Sequence, residues 1–161
     1  MQCRRFFEGS GIVKRRESDT HSFTFCVPAT KRAVRRGRRR VVDIARIEGY
    51  PLDVESMSCL ALLTGEVIAN AVLHTADACV VTIAWNGRRV RVEVTDTQPV
   101  DEIPEGAGTD GENGRGLLIL NSLAAAWGRR AAAPGKVTWF EIDPDLAGFR
   151  SDAAGFPGGT P

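Results

Sequence analysis

Two strand-like runs joined by an Asn-Gly pair constrain the fold of this chain more than any other feature. Residues 89–95 alternate between polar and apolar side chains, and residues 79–85 are rich in residue types that favour strands. Asn86-Gly87 stands between the runs and favours the tight turn of a β-hairpin, because both turn positions need a positive φ. We therefore predict a hairpin in the middle of the chain.

Other segments predict two further strands and three helices around this hairpin. The strands are expected at residues 21–27 and 136–142, and the helices at residues 30–47, 53–75 and 117–127, with Thr30 as a cap and Gly128 as a stop. Helices do not alternate strictly with strands, so a doubly wound fold is not expected. We predict an α+β fold in two layers, with helices covering a mixed, mainly antiparallel sheet.

The chain is expected to form one domain with two irregular ends. Residues 1–20 are polar and basic without a steady period and predict a flexible arm, and the domain itself is expected at residues 21–143. Residues 144–161 are rich in Gly and Pro and predict a disordered tail. Residues 97–113 predict a long polar loop, and a loop of this length inside a compact domain is usually functional or disordered.

The charge and the apolar pattern argue against several classes of function. Lys+Arg is 21 and Asp+Glu is 20, and this formal net charge of +1 gives no reason to expect nucleic acid or an anionic membrane as a partner. No apolar run reaches membrane-spanning length, and the N-terminus lacks the apolar segment of a secretory signal. The four cysteines form no C-x-x-C pair, so we expect reduced cysteines in a cytoplasmic protein.

Cations gather in residues 31–40, within the first predicted helix. We interpret this segment as a solvated helix face, and docking of a partner remains the alternative.

The second predicted helix carries three polar residues on one stripe. Glu66, Asn70 and His74 are spaced by four residues and therefore share one helix face. The side-chain oxygen of Asn70 suits Mg²⁺, and Glu66 can act as a base toward a hydroxyl group. We assign no chemistry to His74. The alternative interpretation is an ordinary solvated helix face.

Two later features could contribute to the same site. A period of two places Asp96 on the valine face of its strand, where a carboxylate needs a partner such as a purine amine or a backbone N–H. Gly114-Arg115-Gly116 leads into the third predicted helix, and a glycine-rich helix N-terminus favours a phosphate, to which Arg115 could add a charge-assisted contact. The alternatives are a strand-end carboxylate bonded to the backbone and an ordinary loop end.

Taken in order, these motifs resemble the three boxes of the GHKL (histidine kinase/Hsp90-like) ATPases. The segment EVIANAVLH from Glu66 is similar to the N box, DTQP from Asp96 to the G1 box, and GRGLLIL from Gly114 to the G2 box. Within this superfamily the chain resembles the branch of anti-sigma-factor serine/threonine kinases, to which GKVTWFEI from Gly135 is also similar. The resemblance covers roughly residues 23–142.

The resemblance implies a Bergerat-type ATP-binding fold with ATP and Mg²⁺ as cofactors. Asn70 would hold Mg²⁺, Asp96 would accept a hydrogen bond from the adenine amine, and Glu66 would be the general base for a substrate serine. The other nucleotide-binding residues would be Gly114, Arg115, Gly116 and Leu117 beneath a lid of residues 97–113, with Thr138 bordering the adenine. The alternative for Thr138 is a plain strand threonine.

The implied function is phosphorylation of a serine on an anti-anti-sigma antagonist, with a sigma factor as a further partner and a homodimer as the assembly. No direct contact with nucleic acid or a membrane is expected. The alternative is an ATP-binding regulatory module without significant kinase activity. Gln98 departs from the family pattern, which usually has Gly at this place in the G1 box, and its side chain would narrow the adenine pocket.

Overall fold

The computed structural model describes residues 12–17, 20–98, 112–133 and 135–145. The side chains of residues 13–20, 73–74, 112–115 and 117 are not described. The elements, in chain order, are β1 Val13–Glu17, β2 Thr20–Val27, α1 Lys31–Ile47, α2 Val54–Thr75, β3 Cys79–Trp85, β4 Val90–Asp96, α3 Glu112–Leu123, β5 Ala126–Ala131 and β6 Lys136–Ile142.

The strands form one six-stranded sheet in the order β1-β2-β3-β4-β6-β5. Each neighbouring pair is antiparallel, so the described sheet is more uniform than the mixed sheet that we predict from the sequence. The predicted central hairpin is confirmed, because β3 pairs with β4. Its turn differs from the predicted one: residues 86–89 join the strands, Gly87 but not Asn86 has a positive φ, and Oδ1 of Asn86 accepts the backbone N–H groups of Arg88 and Arg89. The α+β fold expected from the sequence is therefore confirmed.

The core lies between one face of the sheet and the helices α1 and α2. Alternate residues of β4 are buried, and they meet buried residues of α2 such as Leu60, Leu63 and Val67. Phe25 and Phe140 fill the same layer from two other strands. Each large apolar side chain buried in this way contributes about 1.5–3 kcal/mol, which is why the sheet needs its helical cover.

Side-chain caps set the beginnings of both long helices. Oγ1 of Thr30 accepts the backbone N–H of Ala33 at 3.1 Å, and this confirms the predicted cap of α1. Oδ1 of Asp53 accepts the backbone N–H of Ser56 at 2.6 Å at the start of α2. Each bond satisfies one of the N–H groups that a helix N-terminus leaves without an intrahelical partner. No helix in the described ranges is long and apolar enough to cross a membrane.

Two of the observed strands, β1 and β5, are not predicted from the sequence. β1 forms where the sequence predicts an irregular arm. The charged segment VKRRE carries no apolar alternation, so its sequence does not indicate a strand. It joins the edge of the sheet through its backbone pairing with β2. β5 begins at Ala126, whereas the sequence predicts a helix as far as Trp127. The alanine-rich run 124–126 favours no strand by itself, so pairing with β6 decides its conformation.

Gly128 is a strand residue and not the helix stop that we predict. It lies opposite Trp139 in the pairing of β5 with β6. A Cβ built on Gly128 would lie 2.9 Å from Cζ2 of the Trp139 ring, so the missing side chain makes room for the indole. The helix α3 has already ended at Leu123.

Candidate functional site

Two predicted residues of α2 lie together against the start of α3. Glu66 and Asn70 are one helical turn apart and both half-buried, beside the apolar stripe that packs on the sheet. A Cβ built on Gly116 would lie 2.9 Å from Nδ2 of Asn70 and 4.0 Å from Oε2 of Glu66. The lack of a side chain on Gly116 therefore lets the amide of Asn70 approach the backbone of α3 closely, and we call Glu66, Asn70 and Gly116 the helix cluster.

The boundary predicted for the third helix is wrong at its start. Gly114-Arg115-Gly116 does not precede α3, because the helix begins at Glu112 and these are its third to fifth residues. Glycine lowers helix propensity by about 1 kcal/mol relative to alanine, which is why the sequence favours a later start. The backbone N–H groups at the beginning of α3 still belong to a helix N-terminus, where an anion is favoured.

Several predicted features lie outside the described residues. The predicted lid is described only at residues 97–98 and 112–113, so residues 99–111 cannot be placed in the site. The side chains of Arg115, Leu117 and His74 also lie outside the description.

Asp96 is buried at the end of β4, on the helix-covered face that the sequence predicts. It is 4% exposed, so its carboxylate needs partners inside the protein. Oδ1 accepts the backbone N–H of Gln98 at 2.9 Å and lies 3.2 Å from Nζ of Lys136. Both contacts fall on the same oxygen. Among the described residues, Oδ2 of Asp96 makes no hydrogen bond.

Thr138 lies on the same face of the neighbouring strand β6. It stands opposite Val94, two residues before Asp96, so its side chain is a diagonal neighbour of the carboxylate. Thr138 is buried at 7% exposure. The structure therefore brings Asp96 and Thr138 together, and with Lys136 they form what we call the strand cluster.

Lys136 is not among the site residues predicted from the sequence, although the strand pattern indicates that it faces inward. Residues 136–142 are predicted as a strand with Thr138 and Phe140 on the inner face, and a period of two puts Lys136 on that face as well. Its register against Asp96 depends on the pairing of β4 with β6, which joins segments about 40 residues apart. The local pattern does not contain that register.

Helix α2 links the two clusters. Helix α2 packs on both β4 and β6. Just past the C-terminus of α2, Oδ2 of Asp77 accepts the hydroxyl of Thr97 at 3.1 Å, which ties this end of the helix to the end of β4. Asn70 lies seven residues before Asp77, or roughly 10 Å along the chain at helical rise. Helix α2 thus carries the helix cluster and leads toward the end of β4, where Asp96 lies.

The basic segment of α1 lies on the outside of the helical layer. Most of its cations are exposed, and they line a surface depression of about 460 Å³; the lining residues are Lys31, Arg32, Arg35, Arg36, Arg38 and Arg39. Arg40 differs, since its guanidinium lies 4.9 Å above the ring of Phe25. The exposed positions agree with the solvated helix face that the sequence predicts.

No group of three His, Cys, Asp or Glu side chains within the described ranges is arranged to hold a metal ion. The oxygen donors that could serve a metal in the helix cluster are the amide of Asn70 and the carboxylate of Glu66.

Comparison with known proteins identifies a family model that matches this chain. The family model of the histidine kinase-like ATPase domain matches residues 27–142, a segment that contains both clusters. A search of curated proteins found no match. The matched segment is more than half of the chain and includes every element from α1 to β6. The chain therefore belongs to the histidine kinase-like ATPase domain family.

Proposed function

We propose that this ATP-binding domain transfers the γ-phosphoryl group of ATP to a serine of a regulatory antagonist protein. The observation that carries the proposal is the helix cluster, in which Gly116 lets the start of α3 approach Asn70 and Glu66 closely. A carboxylate and an amide on one helix face beside a helix N-terminus have the chemistry that phosphoryl transfer needs, namely a base, a metal ligand and an anion site.

The residues of the helix cluster fit Mg²⁺. This ion takes oxygen ligands and usually keeps several waters while it bridges substrate phosphates, so one or two protein oxygens suffice. Asn70 would hold it through its amide oxygen. Bound there, Mg²⁺ would neutralise charge on the phosphates.

Glu66 has the place and the chemistry of a general base. It lies one turn before Asn70 on the same helix face, so a serine hydroxyl at the γ-phosphate would come within its reach. The carboxylate takes the hydroxyl proton as the serine oxygen attacks phosphorus, and the bond to the β-phosphate oxygen breaks. Gly114 and Arg115, at the start of α3, would contact the phosphates.

Asp96 and Thr138 would hold the base of the nucleotide, with the Asp96 carboxylate accepting from the adenine amine. Both are buried on the helix-covered face, and among the described residues Oδ2 of Asp96 is available to a donor.

We also propose the biological role that goes with this chemistry in the anti-sigma kinase branch: phosphorylation of an anti-anti-sigma protein controls a sigma factor by partner switching in the cytoplasm.

Binding is tested by calorimetric titration with ATP and Mg²⁺. The intact protein should release heat, and Asn70→Ala or Asp96→Asn should weaken binding tenfold or more, because each removes a contact to the nucleotide or its metal. Glu55→Gln is the matched control, since Glu55 is exposed in the first turn of the same helix. No heat from the intact protein would overturn the ATP site.

Transfer is tested separately with Glu66→Gln. Extract of the native cell is incubated with γ-labelled ATP and either the intact protein, Glu66→Gln or Glu55→Gln. We expect one labelled phosphoserine protein that depends on the intact protein, persists with Glu55→Gln and disappears with Glu66→Gln, although Glu66→Gln still binds ATP. Labelling at an unchanged rate with Glu66→Gln would remove Glu66 from the role of base.

A second candidate is a regulatory module that binds ATP without transferring phosphate. Gln98 favours it, because a half-buried glutamine adjoins Asp96 where the family usually has glycine. In that case ATP would act by ordering a partner-binding surface. Binding heat without any labelled protein in the extract would select this candidate.

A further inference from the structure

An ion pair lies at the base-binding end of the proposed site. Asp96 and Lys136 are directly opposite each other in the pairing of β4 with β6, and both face the helices. Nζ of Lys136 lies 3.2 Å from Oδ1 of Asp96, and the two side chains are 13% and 3% exposed. Stability alone explains such a pair poorly, because the cost of desolvating two charges often exceeds their attraction.

The turn before β6 holds this pair in place. Gly135 has φ +99, and a Cβ built on it would overlap the backbone oxygen of Asp96 and lie 2.7 Å from Cα of Thr97. The backbone N–H of Ala132 donates to the oxygen of Gly135 at 2.8 Å and closes the turn. The turn therefore rests on the end of β4, and Lys136 follows it in fixed register with Asp96.

The pair presents a hydrogen-bond acceptor beside a donor. Oδ1 of Asp96 is occupied by Lys136 and by the backbone of Gln98, which leaves Oδ2 as the acceptor within the described part of the chain. The ammonium group of Lys136 has three N–H donors, of which the contact with Asp96 uses one. A ligand that offers a donor next to an acceptor would satisfy both groups.

We propose that Lys136 is a specificity-determining residue that donates a hydrogen bond to the ring nitrogen N1 of adenine, while Oδ2 of Asp96 accepts from the adjacent 6-amino group. The amine and N1 of adenine are neighbouring donor and acceptor on one edge of the base. The inference rests on the proposed ATP site, and it adds a second, charged contact to the base beyond the carboxylate.

The test uses ADP and two analogues, because ADP binds without phosphate transfer. The analogue 1-deaza-ADP lacks the acceptor N1, and purine riboside diphosphate lacks the amino group. Calorimetry on the intact protein should give about tenfold weaker binding for each analogue than for ADP, as expected when a buried hydrogen bond is lost.

Lys136→Met supplies the matching protein change. It should bind ADP about tenfold more weakly than the intact protein and should no longer distinguish ADP from 1-deaza-ADP, while it still discriminates against purine riboside diphosphate. Arg130→Met is the control. Arg130 is an exposed cation of the adjoining strand β5, and its guanidinium forms an ion pair with Glu93. Its affinities should match those of the intact protein.

The outcomes separate this inference from the proposed function. If the intact protein binds ADP and 1-deaza-ADP equally well, or if Lys136→Met binds ADP as tightly as or more tightly than the intact protein, Lys136 does not contact the base and the ATP site stands. If the intact protein binds no ADP, both the site and the inference fail. The comparison of the analogues on the intact protein decides the question even if Lys136→Met does not fold.

Discussion

Gly116 of α3 approaches Asn70 of α2 so closely that a Cβ on the glycine would lie 2.9 Å from Nδ2 of the asparagine. Two helices that meet at a glycine bring the amide of Asn70 close to the backbone of α3, with the carboxylate of Glu66 beside it. A larger residue at position 116 would displace this amide. The glycine thus sets the position of the Asn70 side chain in the helix cluster.

Gly116→Ala should separate ligand binding from stability. Alanine favours the helix by up to about 1 kcal/mol over glycine, and the short side chain of Asn70 can rotate, so the unfolding free energy should stay the same or rise. The displaced amide should weaken binding of ATP with Mg²⁺ by tenfold or more. Denaturant unfolding and calorimetric titration measure the two effects.

Gly65→Ala is the control for this change. Gly65 lies in α2, and a Cβ there would meet only the flexible side chain of Arg38, at 3.2 Å. It should gain helix propensity without altering ATP affinity. Unchanged ATP affinity in Gly116→Ala would show that the helix cluster does not hold the nucleotide or its metal.

Gly135→Ala should destabilise the protein more than the same substitution at Gly87, another glycine with a positive φ. Gly87 has φ +85 and open space around its Cβ position, whereas Gly135 has φ +99 and would place a Cβ on the backbone of Asp96. We expect Gly87→Ala to cost about 1 kcal/mol and Gly135→Ala at least about 1 kcal/mol more. Equal losses in urea unfolding would mean that the turn does not rest on β4.

Tyr50 should make stability depend on pH in the alkaline range. Burial, and then the negative charge of Glu48, raise the pKa of Tyr50 from 10.0 to about 12. The folded state keeps the proton that the unfolded state loses, so this contribution is complete below pH 10 and is lost as the pH rises from 10 to 12. The loss is at most about 1.4 kcal/mol per pH unit.

The check compares the intact protein with Tyr50→Phe. Lysines and cysteines also titrate in this range, so the quantity of interest is the difference between the two proteins in unfolding free energy at each pH. That difference should change between pH 10 and 12 and stay constant below. Because Tyr50 is the only tyrosine, the tyrosinate absorbance of the folded protein reports its titration directly, and a midpoint near 10 would contradict the prediction.

The part of the site on β4 follows from local sequence. The valines of β4 alternate with polar residues, and continuing that period puts Asp96 inside, as the structure has it. In α2 the spacing of four residues puts Glu66 and Asn70 on one face for the same reason. Such patterns depend only on the geometry of one element, so neighbouring residues are sufficient to predict them.

The region around α3 and β5 shows where local patterns fail. Residues 124–126 are alanines, which favour a helix, and the sequence therefore predicts that the helix extends through them. In the structure Trp127 lies opposite Phe140 of β6, and its Nε1 donates to Oδ1 of Asn121 at 2.7 Å. Pairing with the following strand β6 and partial burial of the indole outweigh the helix propensity of three alanines.

The amino-acid sequence by itself determines the pairing of the central hairpin, the Thr30 cap of α1 and the inward faces of Asp96 and Thr138, because these depend on capping chemistry and on the period of a strand. Only the tertiary structure decides that Lys136 stands opposite Asp96 and that Gly116 meets Asn70. These contacts join residues that are 40 and 46 positions apart in the sequence. Their register is set by how whole elements pack on a shared core, and that information is not contained in either segment alone.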